Sequence, residues 1–467
     1  MKKTYEIAVL GGGPGGYVAA IRAAQLGYKT VVIDKDNLGG ICLNWGCIPT
    51  KSLLKNAEIY DTVKNHSKDF GIAVEGLSFD FNQIIKRSRG ISDRISKNVE
   101  YLIKKNKIDR IRGFGKFVSR DQIDIFDING KIAESVKADK IIIATGARPI
   151  SIPSIPVDSK MIITSTEAMN LKEQPKELII IGAGAIGVEF AYFYSVLGTK
   201  VTILEMMDNI LPIEDREISK ELEKSFKKRK INVITKAKVE KATVKGKKVN
   251  VTISVVGEKK ELSADKVLNA IGVTGNIEGI GLEELGVETV KNHIKVNKEN
   301  YQTNVQNIYA IGDVIGPPWL AHVASHEAII CVEAIKGISH QILDYNNIPG
   351  CTYCQPQIAS VGYTEEKAIE AGYKIKVGKF PFTASGKAFA VGERAGFVKL
   401  IFDDKYGELL GAHIIGSEAT ELIAELVLAR KLEATGESIL KTIHAHPTLS
   451  ESIMEAAGQA YGEAIHI

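Results

Sequence analysis

The 467-residue chain is poor in cysteine, lacks a marked excess of either charge, and has no long apolar run free of glycine. Five unevenly spaced cysteines are too few for a disulfide framework, so a reducing compartment with one functional pair is expected. A formal net charge of +4, with lysines scattered rather than gathered in a stripe, makes nucleic acid a poor partner. The nearest approach to a membrane span is Leu178–Gly198, whose only charge is Glu189. Its glycines at 182, 184 and 187 and its β-rich start read instead as strand, turn and helix, so no membrane partner is expected. The first apolar strand is reached by Tyr5, which leaves no room for a targeting segment and points to a cytoplasmic protein. What remains is an ordinary globular composition, 45% apolar and 25% charged, on a length suited to about three domains.

Against that background Cys42 and Cys47 stand out, within the stretch GGICLNWGCIPTKSLL from Gly39 to Leu54. A bend is expected between them at Asn44, Trp45 and Gly46, and Thr50–Leu54 reads as the opening of a helix. Pro49 is tolerated there, because a first-turn N–H has no intrahelical partner. A cysteine at a helix start feels the positive end of the dipole, which favours thiolate and suits exchange with an external disulfide. Two buried structural cysteines are the competing reading, and the flanking sequence decides between them.

Tyr5–Leu10 reads as a buried strand, followed by Gly11-Gly12-Gly13-Pro14-Gly15-Gly16, a helix to about Leu26, and a strand Lys29–Ile33 ending at Asp34. Gly11 makes the turn, Gly13 admits backbone to a pyrophosphate, and Gly16 lets helix pack on strand. The helix start attracts the pyrophosphate charge, and Asp34 is placed to accept from an adenosine ribose. Glycine-rich turns are common; the strand before, the helix after and the acid at the next strand end give this one its weight. The pattern recurs with the same spacing in strand Glu177–Ile181, turn Gly182-Ala183-Gly184-Ala185-Ile186-Gly187, helix Val188–Leu197 and strand Lys200–Leu204 ending at Glu205. Two such units imply two different dinucleotides. Glu205 accepts from a free 2′-hydroxyl and repels a 2′-phosphate, and Met206-Met207-Asp208 brings no arginine, so NAD is favoured over NADP.

Elsewhere, Phe81, Ile84, Ile85, Ile91, Ile95, Val99, Leu102 and Ile103 recur at helical spacing, a stripe read as core or subunit contact. Lys140–Ile143 leads into Ala144-Thr145-Gly146, which either ends a strand or brings backbone close to a ligand. Val239–Leu262 alternates apolar and lysine residues around Gly246 and Gly257, as hairpins with a solvated face do. Ile308–Ile311 is a further strand leading to Gly312-Asp313, and Leu320-Ala321-His322 opens a helix toward Lys336. From about Ile348 the pattern becomes antiparallel α+β, ending in His444-Ala445-His446-Pro447-Thr448-Leu449-Ser450-Glu451.

Along its whole length the chain resembles the class I pyridine nucleotide–disulfide oxidoreductase family, and within it the branch that oxidises dihydrolipoamide with NAD. The stretch around Cys42 and Cys47 is similar to that branch's active-site disulfide, with Thr50 then Lys51 where glutathione reductases usually carry a second lysine after the proline. The resemblance implies an α/β fold of two Rossmann-like dinucleotide-binding domains plus a C-terminal α+β dimerisation domain. Residues 1–148 would bind FAD, with a helical insert at about 50–107, and 149–271 would bind NAD; 272–347 would complete the FAD site and 348–467 the interface. The resemblance also implies a homodimer whose active site uses both subunits, serving lipoyl-bearing domains of 2-oxo acid dehydrogenase or glycine cleavage proteins. Asp34 would take the FAD ribose, Lys51 would lie by the flavin ring, and Gly115 would lie on the adenine side. Thr145 and Gly146 would bring backbone to the cofactor, Asp313 would hold the ribityl chain, and Ala321 would offer an N–H to the flavin. Glu205, Val239 and Gly272 would flank NAD, and Glu189 would pair with the flavin-side lysine.

Dihydrolipoamide has two thiols of high pKa, so a base must remove a proton before attack. His446 is the candidate, since imidazole titrates near neutral pH unaided, and Glu451 would orient it. Thr448-x-x-Glu451 is also a capping box, and a lone histidine before proline is commonly a loop residue. The activated thiol would attack Cys42 and release Cys47 toward the flavin. Two departures stand out: a Cys351-Thr352-Tyr353-Cys354 motif, read as structural, and Val273-Thr274-Gly275-Asn276 where many relatives carry an arginine. A glutathione or metal-ion reductase is opposed by Glu205, Thr50 and a C-terminus without paired cysteines. A purely structural flavoprotein would need none of Cys42, Cys47, Lys51, His446 or Glu451.

Overall fold

The structure is a computed structural model and describes residues 3–338 and 341–467. The chain forms two units: Met1–Leu53 with Asn82–Ile150 and Gly272–Leu343, and Leu54–Phe81 with Ser151–Ile271 and Asp344–Ile467.

In the first unit, β-branched apolar runs make a sheet in the order Asp109–Arg112, Thr30–Asp34, Lys3–Leu10, Ile132–Ile143, Gln122–Phe126, Phe114–Ser119. Ile308–Ala310 also pairs, in parallel, with the end of Ile132–Ile143. Residues 7–10, 31–33 and 141–143, at the centre of the sheet, are buried and apolar on both faces, as strands covered on both sides must be. Leu10 lies opposite both Ile33 and Ile143, and Ile143 lies opposite Ala310. Gly11, Asp34, Ala144 and Ile311 therefore leave the sheet along one carboxyl edge. The chain passes from Lys3–Leu10 to neighbours on opposite sides, making the switch point where open α/β sheets bind ligands. Helices Pro14–Gln25 and Ala321–Lys336 pack closely, a Cβ on Gly15 lying 3.4 Å from the Ala324 carbonyl oxygen. The apolar stripe expected from Phe81 to Ile103 forms one helix, Phe81–Lys105.

The second unit repeats the plan with a parallel sheet in the order Asn232–Ile234, Lys200–Leu204, Glu177–Ile181, Lys266–Asn269, Ile162–Ile163. Its helix Ala185–Val196 starts three residues before the expected Val188, because Gly184 already serves as its N-cap. The alternating lysine-rich stretch becomes an antiparallel meander of Ala237–Lys245, Lys248–Val255 and Glu258–Ala264. The C-terminal part is an antiparallel sheet ordered Gly350–Thr352, Gln357–Gly362, Leu409–Gly416, Phe397–Asp403, Ile375–Pro381. Helices Ala419–Lys431 and Glu451–Tyr461 bury Ile423, Leu426, Ile453 and Ala456 against it.

Candidate active site

The first glycine turn is shaped partly by the protein itself and partly by space left open. Gly11 has φ +109°, and a Cβ there would lie 2.1 Å from the Ala144 carbonyl oxygen; on Gly16 it would lie 1.9 Å from that of Gly11. These two glycines are demanded by packing. A Cβ on Gly13 would meet nothing closer than the Gly40 Cα at 3.7 Å, and on Gly146 nothing within 4 Å. No side chain caps the helix that Gly13 opens, and no acid lies in its first turn. Open space beside an uncapped helix start fits the pyrophosphate of a dinucleotide. The half-buried Asp34 carboxylate takes the Gly12 N–H at 2.5 Å and the Asp36 N–H at 2.8 Å, tying the turn to the next strand. Burial pushes its carboxyl up, against the pull of those N–H groups.

The second turn is built alike. Gly182 has φ +101°, and a Cβ would lie 2.4 Å from the Ala270 carbonyl oxygen; on Gly187 it would lie 2.0 Å from that of Gly182, and on Gly184 nothing lies within 4 Å. Glu205 takes the Ala183 N–H at 2.7 Å and the Met207 N–H at 2.8 Å, the counterpart of Asp34. Val239 sits on the meander strand at a register shift and packs on the core of its unit. Glu189 takes the Tyr353 N–H at 2.9 Å.

The redox stretch differs from expectation in one element. Gly39 and Gly40, with φ +101° and +56°, turn the chain into a short helix, Gly40–Trp45, so Cys42 is helical and the break is confined to Gly46. Asn44 closes this helix on itself, its Nδ2 donating to the carbonyls of Leu38 at 3.1 Å and Gly40 at 3.0 Å. Cys47 begins the helix Cys47–Asp61, as expected, and Thr50 Oγ1 donates back to the Gly46 carbonyl at 2.7 Å. A hydrogen bond with Cys47 pushes the Cys42 thiol up, burial adds to this, and the Lys51 charge opposes it. The Asp313 charge adds to the rise, and a Cβ on Gly40 would lie 2.6 Å from the Gly13 Cα, so the redox stretch and the first glycine turn meet. Burial and then Glu327 raise the Asp313 carboxyl to about 6, and Glu327 takes the Gly312 N–H at 2.7 Å. Ala321 is the first residue of a helix with no side-chain cap. Gly115 lies on the strand where a Cβ would press 2.5 Å from Leu10 Cδ1.

Several residues that hold this site have no obvious signal in the sequence. Helix Phe81–Lys105 clamps the redox stretch: Ser88 Oγ donates to the Pro49 carbonyl at 2.9 Å and Arg87 Nη1 to Ser52 Oγ at 2.8 Å. Arg89 donates to the Asn44 carbonyl and stacks 4.5 Å from the Trp45 ring centre. The fully buried Ser88 and Ser92, with Ser96 one turn further, recur at a four-residue spacing that could have revealed this face. Asn276 clasps the Thr-Gly pair: Thr145 Oγ1 donates to its carbonyl at 2.8 Å, and its Nδ2 donates to the Thr145 carbonyl at 2.9 Å. Arg148 supplies a guanidinium beside that turn, donating to the Gly275 carbonyl at 3.0 Å and pairing with Glu278. Gly272 has φ +138° and its carbonyl accepts the Ile150 N–H at 3.0 Å.

His446 Nδ1 lies 2.8 Å from Glu451 Oε1, and Glu451 Oε2 takes the Thr448 N–H at 2.7 Å. The capping box expected at Thr448 does not form: Ser450 is the N-cap, no side chain caps the helix, and Glu451 is its first residue, so only the bond from the Thr448 N–H to Glu451 remains of that pattern. Burial alone would raise the Glu451 carboxyl, but the Thr448 N–H and His446 hold it below its usual range. The His446 side chain is 80% exposed, available to a substrate or a second chain. His444 is paired differently, its Nε2 2.9 Å from Glu425 Oε1, and that contact raises its pKa. In the Cys351–Cys354 motif the buried Cys354 donates to the Pro356 carbonyl at 3.4 Å.

No helix among the described residues is long and apolar enough to cross a membrane. The family model described as pyridine nucleotide-disulphide oxidoreductase matches residues 5–328, and its dimerisation domain matches residues 348–457. A dihydrolipoyl dehydrogenase from Rhizobium etli is 47% identical, with all of both chains covered. Among solved structures, LpdA from Mycobacterium tuberculosis superposes with a TM-score of 0.90 at 27% identity, covering 97% of this chain and 99% of that one. The HOCl-induced flavoprotein disulfide reductase RclA from Escherichia coli gives 0.87 at 27%, again covering 97% and 99%.

Proposed function

Because this chain belongs to the pyridine nucleotide-disulphide oxidoreductase family, we propose that it acts as a dihydrolipoyl dehydrogenase, reoxidising protein-bound dihydrolipoamide and reducing NAD. The observation that carries the reading is the redox pair: two hydrogen-bonded cysteines on successive helix starts, beside Lys51 and the carboxyl edge of a dinucleotide-type sheet. FAD would be held by the first turn, Asp34, Lys51, Gly115, Thr145, Gly146, Asp313 and the helix start at Ala321. NAD would be held by the second turn, Glu205, Val239 and Gly272, with Glu189 steadying the flavin-side lysine. Bound FAD supplies a two-electron carrier able to exchange with both a dithiol and a nicotinamide.

The chain's own groups do the rest. His446 takes the proton from one substrate thiol, and Glu451 stabilises the imidazolium that results. The substrate thiolate attacks Cys42 Sγ of the oxidised pair; the bond to Cys47 breaks and Cys47 leaves as thiolate. The second substrate thiol, deprotonated in turn, attacks the substrate sulfur bound to Cys42. Lipoamide leaves, Cys42 recovers a proton, and two electrons remain on the cysteine pair. The hydrogen bond with Cys47 pushes the Cys42 thiol up, and Cys47 is the sulfur assigned to the cofactor side.

The exposed His446 suits a homodimer in which each copy brings its His446–Glu451 pair to the other's Cys42. Exposed Leu428, Leu432 and Ile443, the last 96% exposed, give the C-terminal part the apolar surface that such pairing would use. The lipoyl-bearing domains of 2-oxo acid dehydrogenase or glycine cleavage proteins would present the dithiol. A direct test compares NAD reduction by dihydrolipoamide with NADPH-driven glutathione reduction. Only the first should proceed at enzymatic rates, and preference for glutathione would refute the assignment.

A further inference from the structure

Lys399 is a lone cation in the apolar strand Phe397–Asp403 and is only 1% exposed. Across the sheet it pairs with Lys379 on one side and His413 on the other, and His413 pairs with Ser360, so a polar stripe crosses an otherwise apolar layer. The start of helix Arg216–Lys228 lies against this stripe. Lys399 Nζ reaches both Asp215 oxygens at 3.1 and 3.0 Å, Glu217 at 2.9 Å and Glu365 at 2.7 Å. Burial alone would strip its proton, but the carboxylates outweigh burial and hold the ammonium above its usual range. Such a buried charge set is weak evidence for stability, since apolar residues of similar volume often serve as well. Its use therefore has to be sought in what it positions.

The bonds leading away from it end at the second glycine turn. Asp215 caps the helix through the Glu217 N–H at 3.0 Å, and its carbonyl takes the Ser219 N–H at 3.1 Å. The buried Ser219 Oγ donates to the Leu211 carbonyl at 3.3 Å. Leu211 is buried with φ +46°, a strained course for a leucine that persists only where the surroundings impose it. Its N–H donates to the Ala183 carbonyl at 2.9 Å, while the Ala183 N–H is held by Glu205. The second residue of the turn is gripped on both sides, and one grip is the strained segment anchored beside Lys399.

We propose that Lys399 is a positioning residue for NAD: by anchoring Asp215 it holds residues 206–215 in the course that fixes Ala183, and so sets the shape of the turn. It touches no substrate and acts through Asp215, Ser219 and Leu211. This rests on the reading of the second turn as the NAD site. The test uses FAD-loaded wild type, Lys399→Met and Ser219→Ala, titrated with NAD+ by calorimetry and assayed for both substrates. Both variants should bind NAD+ about tenfold more weakly and raise its KM, with FAD content and the KM for dihydrolipoamide unchanged. Should Lys399→Met fail to fold, Ser219→Ala, which alters no charge, decides alone. Equal NAD+ affinity in wild type and folded variants overturns this proposal only. Absence of NAD+ binding in the wild type overturns the functional reading and this proposal together.

Discussion

At the scale of single residues the chemistry turns on where protons sit. The hydrogen bond with Cys47 pushes the Cys42 thiol up, and the exposed His446 is the group proposed to move protons to and from a substrate. Replacing His446 by Gln should lower kcat/KM for dihydrolipoamide by roughly 10²–10⁴-fold, the usual worth of a general base. Oxidation of NADH by an artificial acceptor, which needs no thiol proton, should be unaffected; stopped-flow assays of both reactions check this. Glu214 carries a different proton. Burial raises its carboxyl to about 7 from its ordinary 4.5, so the folded chain holds a proton that the unfolded chain has lost between those values. Unfolding then releases a proton, and stability falls as pH rises through that window. Glu214→Gln should unfold at higher urea concentration than wild type at pH 8, by on the order of 3 kcal/mol, and no differently at pH 4.

At the scale of elements, the two glycine turns separate what the fold needs from what a ligand needs. Gly16→Ala would drive a Cβ into the Gly11 carbonyl, whereas Gly13→Ala would meet only the Gly40 Cα at an ordinary distance. Gly16→Ala should therefore lower the melting temperature of the flavin-free protein. Gly13→Ala should leave it unchanged while lowering FAD content by tenfold or so, read from the absorbance ratio of purified protein. The turns were legible in the sequence because backbone shape there restricts residue type: Gly11, Gly16, Gly182 and Gly187 have almost no substitutes. The helix carrying Cys42 was not legible, since Gly39 and Gly40 disguise a helix start as a loop, and the bond from Asn44 to Gly40 that closes it is a side-chain contact. The contacts of Arg148, Asn276 and Lys399 were hidden for another reason. Their partners lie far along the chain, and no local pattern marks a lysine in Phe397–Asp403 as the hub of three carboxylates.

At the scale of the molecule, the proposed division of labour puts the cysteines of one copy with the histidine of another. Mixing Cys42→Ser and His446→Gln homodimers, each inactive alone, and allowing subunits to exchange should restore roughly a quarter of wild-type activity, because half the dimers would be hybrids with one intact site each. A site built within one chain would recover nothing. The central claim is that the Cys42–Cys47 pair carries the electrons from dithiol to NAD. Mass-spectrometric mapping of alkylated cysteines, before and after anaerobic addition of dihydrolipoamide without NAD, tests it most directly. New labels should appear at Cys42 and Cys47 and disappear once NAD+ is added. Labels that appear instead at Cys351 and Cys354, or at no cysteine while NADH still forms, would contradict it.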